Sequence, residues 1–317
     1  MFNHDSGLTP LQCLLAEQAS GLRAYMGLHH PQLARPHPYR LKVLPILSNG
    51  RADEQANFLA NLAVALQRQG RKVLILDVAH GQVGAQLGLA SGDDLDAWLR
   101  GSSSLGQLLR KSQEQVCVLS AASALNPLRS PHSNVSRLGL ALLELAHFDL
   151  CLALAPWRVL HCLTSLDAQG VWIMSQAHPA ALLKTYQSIK SLASHTALKK
   201  LSVFYSNLPN QEQGERTHDC LRQTLAQFTN IDLAFAGGSE GDPMMCSAQG
   251  LQGSVFSSAP HSTLAQSFTK IAETISWSSL PTILPQQHRA SGSQDAFPFA
   301  KQTIASAPVS ALVARHC

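Results

Sequence analysis

LKVLPILSNGRADEQANFLANLAVAL, residues 41–66, decides how the rest of the chain is read. Leu41 to Leu47 is an apolar run that reads as a buried strand, and the small apolar residues up to Leu66 read as a helix. A strand, a tight loop and a helix in that order make the frame of a phosphate cradle. Loops that hold phosphate are rich in glycine and carry a lysine and a hydroxyl. Here the loop is SNGRADEQAN, residues 48–57. The frame is present and its chemistry is missing.

The same frame repeats outward from this stretch. Arg71-Lys72 leads into Val73-Leu74-Ile75-Leu76-Asp77, a continuous apolar run that ends in a carboxylate. Strands buried on both faces of a parallel sheet read this way, and two strands joined by a helix make a βαβ unit. Gly81, Gly84 and Gly88 mark the loop that follows, and short helices are expected over 94–99 and 104–109. Further strands are expected over 115–119, 148–155, 170–174, 201–205 and 231–236, with helices over 134–146, 179–193 and 214–228. This alternation predicts an α/β fold with one doubly wound, mostly parallel sheet.

The flanks read differently. Residues 1–8 read as disordered, and Thr9-Pro10-Leu11-Gln12 is a helix start, with Thr as N-cap, Pro at the first helical position and Gln closing a capping box. The helix runs to about Met26, with Leu11, Leu14, Leu15, Leu22 and Met26 on one stripe. Gly21 lies inside it, at a cost of ~1 kcal/mol against alanine. Either another backbone approaches closely there, or the glycine is ordinary drift on a surface helix. Residues 27–40, GLHHPQLARPHPYR, form an extended linker, and His29-His30, lacking a third partner, read as solvated.

At the other end, His261 to Trp277 is amphipathic, with Leu264, Phe268, Ile271 and Ile275 on one face. That face suits a membrane surface or the protein's own core. Surface-seeking helices are rich in Lys and Arg, and this one has only Lys270, which favours packing and leaves membrane contact weak or absent. Residues 278–317 read as a disordered tail. The expected division is 1–40, 41–277 and 278–317.

Composition excludes several classes. Hydrophobic content of 45% supplies a core, and a net charge of +4 spread along the chain gives no basic stripe for nucleic acid. Seven cysteines, at 13, 117, 151, 162, 220, 246 and 317, include no CxxC pair, which argues against a disulfide framework and a zinc site. Cys151, in an apolar run, reads as buried filler. A reduced, cytoplasmic compartment fits. The opening MFNHDSGLTP lacks the apolar core of a signal peptide, and no run approaches the ~20 apolar residues of a membrane span.

Three segments carry a family resemblance. Glu17-Gln18-Ala19-Ser20-Gly21-Leu22-Arg23 resembles the DQAxGLR motif of FlhG (also called FleN), with Glu17 in place of Asp. ANLAVAL, residues 60–66, followed by GRKVLILD is similar to the first helix and second strand of the MinD/ParA superfamily of deviant Walker ATPases. The C-terminal amphipathic helix has a counterpart in that family's membrane-targeting helix. Together they cover residues 14 to about 277 and identify an FlhG-like member with a P-loop NTPase, MinD-like fold.

The resemblance implies what has been lost. Aligned on the family loop KGGVGKT, the signature lysine falls on Gly50, the phosphate-binding lysine on Gln55 and the magnesium-binding Thr on Ala56. Arg51, Ala52 and Glu54 replace glycines, and Asp53 replaces the valine. Two like unit charges about 4 Å apart repel by ~4 kcal/mol at an effective dielectric of about 20, so Asp53 and Glu54 oppose a polyphosphate. In the LDxD loop Asp77 is kept and the second acid is Ala79; the Walker B aspartate falls on Leu154, and Asn207 matches the base-contacting Asn.

By this resemblance the chain is a pseudo-ATPase without bound ATP or magnesium and without catalytic residues. Glu17, Gln18, Ala19, Gly21, Leu22 and Arg23 would dock on an FlhF-type GTPase, in the cytoplasm or peripherally at the inner membrane or cell pole. A flagellar transcription activator or an active MinD-like paralogue are further expected partners. The alternatives are a residual ATP-driven switch resting on Asp77 and Asn207, and a scaffold for an active paralogue.

Overall fold

The computed structural model describes residues 41–48, 52–77, 82–122, 142, 144–145, 147–154, 171–195, 200–240, 253–275 and 280. The chain divides into two units, Met1–Arg40 and Leu41–Cys317, and every described residue belongs to the second. The helix expected over 9–26, its linker and the tail beyond Leu280 lie outside the described residues. So does most of the helix expected over 134–146.

Eight described strands form one sheet. In chain order they are β1 (Lys42–Ser48), β2 (Val73–Asp77), β3 (Arg110–Lys111), β4 (Cys117–Ser120), β5 (Leu150–Leu154), β6 (Val171–Gln176), β7 (Lys200–Leu208) and β8 (Asp232–Glu240). Their order across the sheet is β3-β4-β2-β5-β1-β6-β7-β8. All neighbours run parallel except the short edge pair, in which Arg110 faces Val118 and Lys111 faces Cys117. The helices are α1 (Ala52–Arg68), α2 (Gln82–Gln86), α3 (Leu95–Leu99), α4 (Leu105–Leu108), α5 (Pro179–His195), α6 (Gln211–Ala226), α7 (Val255–Ser258) and α8 (Thr263–Thr274).

Alternation along each strand assigns the two layers, because successive side chains point to opposite faces. Leu44, Ile46, Val73, Ile75, Leu150, Leu152, Leu154, Trp172, Met174 and Phe204 join α1, α7 and α8 in one core. Their neighbours Val43, Leu74, Leu76, Cys151 and Ala153 join α3 and α4 on the other face, where Val171, Ile173, Leu201, Val203 and Tyr205 meet α5 and α6. The sheet is therefore doubly wound, as the sequence pattern predicts. Cys151 is fully buried, and burial pushes its thiol up to about 12, which removes the nucleophilic thiolate.

Phe58 of α1 holds the first core together. Its ring centroid lies 4.4 Å from Phe204 of β7 and 5.9 Å from Phe268 of α8. Leu264, Phe268, Ile271 and Ile275 are all at most 4% exposed, so the apolar stripe of α8 faces the sheet and α1. No described helix is long and apolar enough to cross a membrane. One polar pair sits inside this packing: the side-chain amide of Asn61 donates to the Asn57 carbonyl at 2.9 Å, and its oxygen accepts the Val255 N–H at 2.7 Å. That bond satisfies an otherwise orphaned N–H in the first turn of α7, an element absent from the sequence expectation.

Other departures have local causes. Residues 82–86 form α2 where a glycine-marked loop is expected, because the Asp77 carboxylate accepts the Val83 N–H at 3.3 Å and helps anchor the turn. A Cβ at Gly84 would lie 3.3 Å from the Arg110 guanidinium, a tight contact. β8 continues past the expected end at Ala236 through Gly237-Gly238-Ser239, a stretch whose glycines suggest a turn. A Cβ on Gly238 would lie 2.1 Å from Leu208 Cδ1, so the bulged pairing of β7 with β8 requires glycine at that position.

His218 of α6 is buried beside Tyr205 and Phe235. Its Nε2 lies 3.1 Å from the Leu233 carbonyl, which only accepts, so Nε2 carries the hydrogen. Nδ1 is buried with no hydrogen-bond partner among the described residues, and protonating it would bury a charged donor that none of them receives.

Two measurements test this packing. Phe268→Ala is expected to lower stability in urea by about 3–5 kcal/mol; a loss near zero would mean that α8 does not hold the core. Burial holds the folded His218 below its ordinary 6.5, so the unfolded chain takes up the proton first as pH falls. Its contribution is complete above about pH 6.5 and is lost below it. His218→Gln should flatten the urea midpoint's fall between about pH 7.5 and 5.5, and an unchanged slope would contradict this.

Candidate functional site

In open α/β sheets ligands bind outside the carboxyl ends of the strands, where the strand order reverses. Here β1 lies between β5 and β6. From β1 the chain crosses through α1 to β2, on the far side of β5, while β6 lies on the opposite flank. The crevice beside the ends of β1 and β6 is therefore the place to look.

Three strand ends lie side by side there. Asp77 of β2 pairs with Leu154 of β5, and Leu154 pairs with Ile46 of β1. Leu154 is 4% exposed and packs in the core under α1. Asp77 is fully buried and accepts the Val83 N–H. Gly50 and Ala79 lie outside the described residues.

α1 begins at Ala52, four residues after β1 ends at Ser48. Residues 52–56, aligned above with a phosphate-wrapping loop, are thus already helical. Ala56 is buried in the core and Gln55 is half-buried. Asp53 and Glu54 occupy the first turn of the helix, where the dipole favours negative charge. Glu54 reaches across the crevice: Gln176 Nε2, at the end of β6, lies 2.7 and 2.8 Å from its two carboxylate oxygens. The Gln176 oxygen in turn lies 2.8 Å from His178 Nε2. His178 Nδ1 accepts the Ala181 N–H at 3.3 Å and so caps α5.

One strand further, Ser206 of β7 pairs with Gln176, and the exposed Asn207 follows it. Asn207 has a φ of 57°, a left-handed conformation that asparagine tolerates better than most residues. On the opposite flank Arg110 reaches the same edge of the sheet from β3. Its guanidinium donates to the Ala90 carbonyl and the Ser120 hydroxyl, each at 2.5 Å. This cation is held by main chain and hydroxyl beside the end of β4.

The structure thus brings Glu54, Gln55, Ala56, Asp77 and Leu154 to one end of the sheet. Glu17, Gln18, Ala19, Gly21, Leu22 and Arg23 lie outside the described residues, and Leu264, Phe268, Ile271 and Ile275 belong to the core. Among the described residues, no group of three or more His, Cys, Asp or Glu side chains could hold a metal ion. Sequence reasoning missed Gln176, His178 and Arg110. A polar residue ending the buried run VWIMSQ was the available signal for Gln176, since strand ends face the ligand edge.

No protein-family model matches the sequence, and no curated protein matches it. Solved structures do match. The ParA family ATPase from Chlorobium tepidum superposes with a TM-score of 0.57 at 17% identity, over 74% of this chain and 98% of that one. The MinD cell division protein of Aquifex aeolicus gives 0.55 at 15% identity, over 73% and 95%. MinD of Pyrococcus horikoshii, solved with Mg-ADP, gives 0.53 at 19% identity, over 74% and 95%. At these identities the likeness is one of fold: the described residues share the architecture of the MinD/ParA ATPases.

Proposed function

We propose that this chain is a non-hydrolysing, FlhG-like pseudo-ATPase that regulates flagellar number and placement through protein contacts. The observation that carries the pseudo-ATPase half is the content of the crevice. Mg·ATP needs a cation on its phosphates and hydroxyl or carboxylate oxygens on the metal. The aligned positions carry Gln55, a buried Ala56 and a core Leu154, with Glu54 already bound to Gln176. These residues do not fit the group. A residual ATP switch would rest on Asp77 and Asn207, and Asp77 is buried against α2.

The docking half rests on EQASGLR, residues 17–23, joined to this fold. Its helix would dock on an FlhF-type GTPase, with Gln18 and Arg23 as polar contacts near the nucleotide and Leu22 as apolar anchor. Gly21 would permit the close approach. A flagellar transcription activator or an active MinD-like paralogue would be a further partner, met in the cytoplasm or at the pole of the inner membrane.

Two experiments test the halves separately. Leu154→Asp, which restores the acid of the ATPases, should cost about 3 kcal/mol or more in urea unfolding, because it exchanges a packed leucine for a buried charge; stability equal to the parent would mean the position is open to solvent. The full-length chain should raise GTP turnover by the FlhF-type GTPase of the same genome roughly tenfold or more. Gln18→Ala should abolish that gain. Turnover unaffected by either chain would refute the docking role.

A further inference from the structure

We infer that Glu54 is an internal stopper: its carboxylate, held by Gln176, whose amide His178 orients, occupies the anion position at the head of α1 and closes the crevice to phosphate. This rests on the reading of the chain as a protein without nucleotide, and adds to it an active closure.

The hydrogen bonds run in one direction. The Ala181 N–H is shared between the His178 carbonyl at 3.0 Å and His178 Nδ1 at 3.3 Å; facing a donor, Nδ1 bears the lone pair and Nε2 bears the hydrogen. Nε2 therefore donates to the Gln176 oxygen at 2.8 Å. With its oxygen so engaged, the Gln176 amide must turn its NH2 toward Glu54, at 2.7 and 2.8 Å from the two carboxylate oxygens. A carboxylate is the acceptor such a chain favours, because charge-assisted bonds are the stronger ones.

The stopper joins three elements, the first turn of α1, the end of β6 and the residue capping α5. The head of a 17-residue helix favours an anion, and here the anion is covalently part of the chain. An incoming phosphate would have to displace Glu54 from Gln176 and then share the site with a like charge. Supplying a lysine alone would not reopen it.

Calorimetric titration with ATP, with and without Mg²⁺, tests this on the full chain and three variants. Gln55→Lys restores the cation beside an intact stopper. The double variant E54G/Q55K restores it with the stopper removed. The double variant Q55K/Q176L loosens the stopper while leaving α1 unaltered, which covers the case in which glycine weakens the helix. Both double variants should bind ATP roughly tenfold or more tightly than Gln55→Lys. Equal behaviour of all three variants, whether they bind or not, overturns the inference alone. Micromolar binding by the unaltered chain overturns both the inference and the reading beneath it.

Discussion

Burial of α1 between the sheet and α8 is the constraint on which the other features depend. Phe58 stands at its centre, touching Phe204 of β7 and Phe268 of α8. Nearly every residue from Ala56 to Leu66 is buried. A helix held so completely has little freedom to slide along its axis, so its first turn sits where the packing places it. That placement puts Glu54 opposite Gln176 and Ala56 inside the core. The head of the helix is thus organised by the same contacts that stabilise the domain.

The same end of the sheet is held by contacts within the chain. Where the strand ends would meet a metal-bound anion, Leu154 packs against the neighbouring strands. Next to Gln55, the position the resemblance aligns with a phosphate-binding lysine, Glu54 reaches Gln176. Leu154 adds apolar burial, and Glu54 places an anion at the helix head. Asp77 is likewise a structural acceptor for α2. These contacts are compatible with the architecture, and solved ATPases of 15–19% identity superpose on the chain.

Much of the fold was legible in the sequence because doubly buried parallel strands leave a strong mark. VLILD and LCLAL read as strands from hydrophobicity alone, and both have every residue buried. The α8 stripe was legible for the same reason. What escaped depended on particular partners. α2 owes part of its first turn to Asp77, α7 receives a bond from Asn61, and the extension of β8 needs Gly238 to clear Leu208. Two of these pairs, Asn61 with Val255 and Leu208 with Gly238, are distant in sequence. The residues of interest at 55, 56 and 154 came from the family resemblance in the sequence. The Glu54–Gln176–His178 relay could not be read there, because residues 54 and 176 are joined only by the parallel pairing of β1 with β6.

The central claim is that the head of α1 is filled from within the chain. Its most direct test is a crystal structure of the protein grown in saturating Mg·ATP. The account predicts Glu54 on Gln176, with no nucleotide between β1 and α1. Ordered Mg·ATP in that crevice, with the Glu54 side chain swung away, would contradict it.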